Sequence, residues 1–289
     1  MIYNDAYSVF AGGRHPQQLG MKVREGWPEV ADFNDHVMKV GLAGGTLSYK
    51  DQELTLYRNG EPELVSMNLD YSPVLGEDEQ PAGVLAIVIE TTQRRRAESR
   101  LAGRSEQLQA VADAALRITR APTLQATLQE VVESARAIIG AHQSVVSMSV
   151  GPDWSQSINA VSLSGKYRGW AGYDRAPDGS GIYAWVCEEN RPVRMTQAEL
   201  EAHPRWRGFG EHAQDHPPMR GWLAAPLIGR DGRNLGLVQL SDKEDDSEFD
   251  AADEAVLVQL AQIASAAIEQ TGAEESLRTS EARLRAVFD

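Results

Sequence analysis

Residues 221–243, GWLAAPLIGRDGRNLGLVQLSDK, and residues 249–269, FDAADEAVLVQLAQIASAAIE, decide how this chain is read. GWLAAPLIG and NLGLVQLS are short apolar runs bounded by turn residues, and Arg230-Asp231-Gly232 between them makes a hairpin. The second segment changes period. Asp250 stands where a helix N-cap is expected, with Asp253 three residues on, and the apolar residues that follow recur at helical spacing. A strand hairpin running straight into a long apolar helix describes a sheet with a helix packed on one face.

Upstream residues extend that unit. LQATLQEVVESARAII (124–139) is an amphipathic helix, and SVVSMSV (144–150) and SINAVSLS (157–164) are further strands. Residues 1–92 form a separate region. Within it QELTLYRNGEPELVSMNLDYSPV (52–74) folds as two strands about the turn Asn59-Gly60, and PAGVLAIVIETT (81–92) supplies a third strand, expected to be fully buried because its apolar run is continuous. Residues 93–120 then read as a charged connector helix. Its Leu101 and Leu108 are one heptad apart, and Val111, Ala115 and Leu116 continue the apolar face, so we expect a homodimer seam there. Residues 271–289 close the sequence as a coupling helix, in which Leu277, Leu284 and Phe288 are spaced for one face. That helix is expected to lead into a further domain, with the chain a segment of a longer protein. The fold class is α+β, with antiparallel sheets flanked by helices.

Composition narrows the function. A formal net charge of −14 disfavours nucleic acid and anionic membrane surfaces, which require clustered Lys and Arg. The basic run Arg94-Arg95-Arg96 reads as a solvated helix face. No apolar run approaches a membrane span; the longest, GVLAIVI, suits a strand. The single Cys187 forms no intramolecular disulfide, which fits the reducing cytoplasm.

Residues 121–270 resemble a GAF domain over essentially their whole length, most strongly in the two stretches 221–243 and 249–269. Lys243, Phe249, Asp253 and Glu254 have the spacing of the Asn-Lys-Phe-Asp-Glu signature of cyclic-nucleotide-binding members, with Asp242 in place of the Asn. The motif is read as structural, Lys243 pairing with Asp253 across the strand-to-helix junction, and Asp242 would repel a phosphate. The resemblance implies a pocket between the sheet and the segment 181–219, where Trp185, Arg205, Trp206 and Phe209 are the ligand candidates, suited to stacking on a planar molecule and equally suited to filling a core. No cofactor follows from it. The first region, residues 1–92, resembles the C-terminal part of a PAS domain through YNDAY, RHPQQLG, WPEV, LYRNGEPE, YSPVLGED and GVLAIVIETTQRR, in the family's order and without the first strand and most of the second. The closing SLRTSEARLRAVFD resembles the helix that introduces another PAS domain in bacterial sensor proteins, which implies a dimeric input module for an output such as a histidine kinase.

Two chemistries are set aside. His203, His212 and His216 near Asp215 match no metal motif in their spacing, and His15 beside Pro16 reads as a loop residue, so no metal site is expected. Cys187, flanked by apolar residues on a helix, reads as a buried inert thiol, and the GAF-type methionine sulfoxide reductases use several cysteines where one is present. The Asp-Ile-Pro motif of phytochrome GAF domains, a phosphate-binding Gly-rich loop and a phospho-accepting His-Glu pair are all absent, so no enzymatic activity is expected. Two alternatives to the sensor reading stand beside it: a GAF regulator that binds a cyclic nucleotide or other small molecule, and a purely structural dimerisation module.

Overall fold

The computed structural model describes residues 1–149, 156–170, 181–208 and 218–288, which form two compact units, Met1–Arg104 and Ser105–Asp289.

In the first unit the helices α1 (Asp5–Ala11), α2 (Val23–Gly26) and α3 (Ala31–Leu42) precede a sheet of β1 (Leu47–Leu56), β2 (Glu63–Leu75) and β3 (Pro81–Glu90), antiparallel in that order. Asn4 caps α1 by accepting the Tyr7 backbone N–H at 2.9 Å. Gly60, with φ of 91°, turns the β1–β2 hairpin as the Asn-Gly pair requires. Ala11, Trp27, Leu56, Val65, Met67 and Leu69 are buried together. β3 is not the fully buried strand its apolar run promised. It pairs with β2 along one edge, and while Val88 packs against the core, Leu85, Ile87 and Ile89 are 53%, 53% and 55% exposed. Successive side chains of a strand point to opposite faces, and a continuous apolar run does not say whether both faces are covered.

The helix α4 spans Thr92–Arg120. Its basic run is more than a solvated face. Arg94 pairs with Asp51 at 2.9 Å and Arg95 with Glu53 at 2.8 Å, and Thr91 donates its hydroxyl to the same Asp51 at 2.7 Å, so the helix start is fastened to β1.

The second unit continues with α5 (Leu124–Ile139), β4 (Ala141–Ser149), β5 (Gln156–Leu163), a 3₁₀ segment Gly165–Trp170, α6 (Ile182–Glu189), β6 (Val193–Met195), α7 (Gln197–Ala202), β7 (Trp222–Ile228), β8 (Asn234–Lys243) and α8 (Ala251–Phe288). All strand pairs are antiparallel, in the order β5-β4-β8-β7-β6. One sheet face carries the main core, where Leu223, Ala225, Val238 and Leu240 meet Leu128, Val131 and Val132 of α5 and Leu257, Leu260 and Ala264 of α8. Gly236 of β8 has φ of 148°, and a Cβ there would stand 2.1 Å from the Ser147 carbonyl oxygen, so β4 and β8 approach too closely for any side chain.

Val111, Ala114 and Ile118 of α4 are buried in this same core, whereas Leu101 and Leu108 are 70% and 56% exposed. At 100° per residue the two sets lie roughly a quarter-turn apart on the helix. Val111 therefore belongs to its own domain's core and not to the face of Leu101 and Leu108, which corrects the single apolar face read from sequence. The stretch Ala251–Ala273 of α8 is long and apolar enough to cross a membrane, which corrects the expectation that no segment approaches a span; half of it is buried, and it is the helix that packs on the sheet. The side chains of Leu277, Leu284 and Phe288, farther along α8, lie outside the described residues.

Candidate functional site

The opposite face of the second sheet is polar and yet buried. Side chains alternate across a strand, so while Val238 and Leu240 face the main core, Gln239 and Ser241 face away from it, as do their pairing partners Val145 and Gln143 on β4. Ser147, opposite Leu237, and Trp222 on β7 continue that face. Gln143, Ser147, Gln239 and Ser241 are all buried. Trp222 Nε1 donates to Gln239 Oε1 at 2.7 Å, Gln143 Nε2 donates to the Pro218 carbonyl at 3.1 Å, and Ser241 Oγ donates to the Gly221 carbonyl at 3.0 Å. Buried polar groups are costly unless they are bonded; Gln143, Gln239 and Ser241 are bonded within the chain, and Ser147 Oγ is the atom of this row left without a partner among the described residues.

Its cover is α6 with the segment that follows. Ile182, Val186, Cys187, Leu200 and Trp222 form a second core, against which Trp185 and Trp206 pack. The three stacking candidates that lie among the described residues, Trp185, Arg205 and Trp206, all have neighbours within this lid. The Trp185 ring lies 4.5 Å from that of His203 and under the Arg191 guanidinium, and Arg205 pairs with Glu188 at 2.9 Å. These side chains close the lid on itself, since a short helix over a polar sheet must find its apolar partners within its own segment. Phe209, His212, Asp215 and His216 lie outside the described residues. Cys187 is buried within the second core, as its apolar neighbours indicated. His15 Nδ1 stands 3.2 Å from the Tyr3 hydroxyl, and among the described residues no three His, Cys, Asp or Glu side chains group to hold a metal ion.

The junction from β8 to α8 is as the motif implied. Lys243 Nζ lies 3.0 Å from Asp253 Oδ2, Phe249 is buried in the main core, and Glu254 pairs with Arg194 at 3.2 Å. Burial alone would lower the Lys243 pKa, but the hydrogen bond and charge of Asp253 outweigh it and raise it. Asp250 and Asp253 cap the helix reciprocally, Asp250 Oδ1 accepting the Asp253 N–H and Asp253 Oδ2 the Asp250 N–H, each at 2.9 Å.

Asp242 does something the sequence did not disclose. With φ of 60° it turns its side chain, 1% exposed, beneath the 3₁₀ segment, where it accepts hydrogen bonds from Lys166 Nζ at 2.6 Å and from the Tyr167 hydroxyl. Burial pushes its pKa up, and the bonds from Lys166 and Tyr167 more than reverse that, holding the carboxyl below its ordinary range. Tyr167 is raised well above an ordinary tyrosine, by burial first and then by its bond to Asp242. His142 and Trp170 complete the cluster, with ring centroids 5.7 Å and 5.6 Å from that of Tyr167. The carboxylate thus pins the segment after β5 to the end of β8.

Residues 121–269 match the family model described as GAF domain. The chain is also similar to solved structures. The GAF domain of a phosphoenolpyruvate-protein phosphotransferase from Coxiella burnetii is 22% identical, over 59% of this chain and 96% of that one, with a TM-score of 0.49. The free methionine-R-sulfoxide reductase of Neisseria meningitidis, in complex with its substrate, is 15% identical over 58% and 91%, with a TM-score of 0.47. The A. aeolicus nlh2 GAF domain in an inactive state is 14% identical over 58% and 98%, with a TM-score of 0.46.

Proposed function

The chain belongs to the GAF domain family through residues 121–269, a sensory and regulatory domain type, and from that premise we propose that it is the input module of a bacterial signal-transduction protein. In this reading the signal enters at the buried polar sheet face as a small molecule or a partner's polar group, and leaves through α4 and α8. Two copies pair along Leu101 and Leu108, and the output is a partner domain such as a histidine kinase. The first unit acts as a PAS-like companion, a role supported by the order of its sequence motifs. The chain itself is non-catalytic and cytoplasmic, readings supported by its lack of catalytic motifs and its single cysteine.

One observation carries the reading. α4 and α8 are each core elements of the GAF unit, through Val111, Ala114 and Ile118 and through Leu257, Leu260 and Ala264, and each continues well beyond that core, α4 back to Thr92 and α8 on to Phe288. Close-packed cores do not deform smoothly, so a change in packing at the sheet moves such helices as bodies.

Spin labels test it. Gly103→Cys and Gly272→Cys, in a Cys187→Ser background, occupy positions where an added Cβ meets no atom within 4 Å. Filling the polar face with Ser147→Phe is expected to shift the label-to-label distances between copies by about 1–2 Å, the scale of interface helix shifts. Identical distances with and without the substitution, or no distance between copies at all, would overturn the coupling.

A further inference from the structure

We draw no further inference here: the strongest candidate, the exposed apolar patch of Leu85, Ile87 and Ile89 on β3, the strand at one edge of the first unit's sheet, is a face for which nothing in the structure shows what covers it.

Discussion

Lys243 and Asp253 meet across the junction of β8 and α8, Nζ to Oδ2 at 3.0 Å, with side chains 13% and 9% exposed. The same carboxylate oxygen accepts the Asp250 backbone N–H, so Asp253 holds both the sheet and the first turn of the helix. The two partners are therefore unequal. Lys243→Ala leaves Asp253 with its capping bond and should cost about 1 kcal/mol, whereas Asp253→Ala strands both a largely buried lysine side chain and a backbone N–H and should cost about 2 kcal/mol. A double-mutant cycle by urea denaturation should give a strongly non-additive sum. Additive losses would mean that the side chains do not meet in solution.

Asp242 sets an acid limit on the fold. Its folded pKa is depressed, so its contribution is fully present above the unfolded aspartate value of about 3.9 and is lost as pH falls through the lower, folded value. Asp242→Asn should lower stability at pH 7 by about 1–2 kcal/mol, most of it from the buried Tyr167 bond because Lys166 is 45% exposed. Below pH 4 the variant should lose less with acid than the wild type does. Parallel stability–pH curves from pH 7 to pH 2 would remove the carboxylate from the account.

Tyr167 sets the matching alkaline limit. Its folded pKa is raised, so its contribution is present below the ordinary tyrosine value of about 10 and is lost as pH rises beyond it. Tyr167→Phe should flatten the fall in stability above pH 10, read from chemical denaturation at fixed pH values. A fall as steep as the wild type's would assign that limit to other groups.

Leu101 and Leu108 stay exposed on α4 within one chain, on a face distinct from the one its own core uses. Leucines on an otherwise charged helix gain most by facing a copy. Analytical ultracentrifugation should show a dimer for the wild type and a monomer for Leu101→Asp with Leu108→Asp. An unchanged dimer would place the seam elsewhere.

Cys187 should not react in the native state, being buried among Ile182, Val186 and Leu200. Ellman's reagent should label it only in denaturant. With radiolabelled ATP the chain should show no label on histidine, and with free methionine sulfoxide and a thiol reductant no turnover. Turnover that vanishes in Cys187→Ser would establish an enzyme.

How much was legible in the sequence depended on whether a feature is local. The 221–243 hairpin, the Asp250 cap, the long α4 and the Lys243–Asp253 pair were all readable, because turn chemistry, helix period and a fixed offset are written in neighbouring residues. The polar face of Gln143, Ser147, Gln239 and Ser241 was not. A strand that alternates polar with apolar residues reads as half solvated, and only the lid of α6 makes that face an interior. Trp185 and Trp206 were visible as aromatics, but an aromatic run cannot say whether its partner is a ligand or the next helix; the structure packs both against the second core. β3 looked interior because Leu85, Ile87 and Ile89 are apolar, yet burial depends on what packs over each face of the strand, and these three stay exposed. Asp242 shows the limit most plainly. Its residue type and spacing were visible in the sequence, but its partners Lys166 and Tyr167 lie more than seventy residues away, and only the antiparallel order of β5, β4 and β8 brings them to one carboxylate.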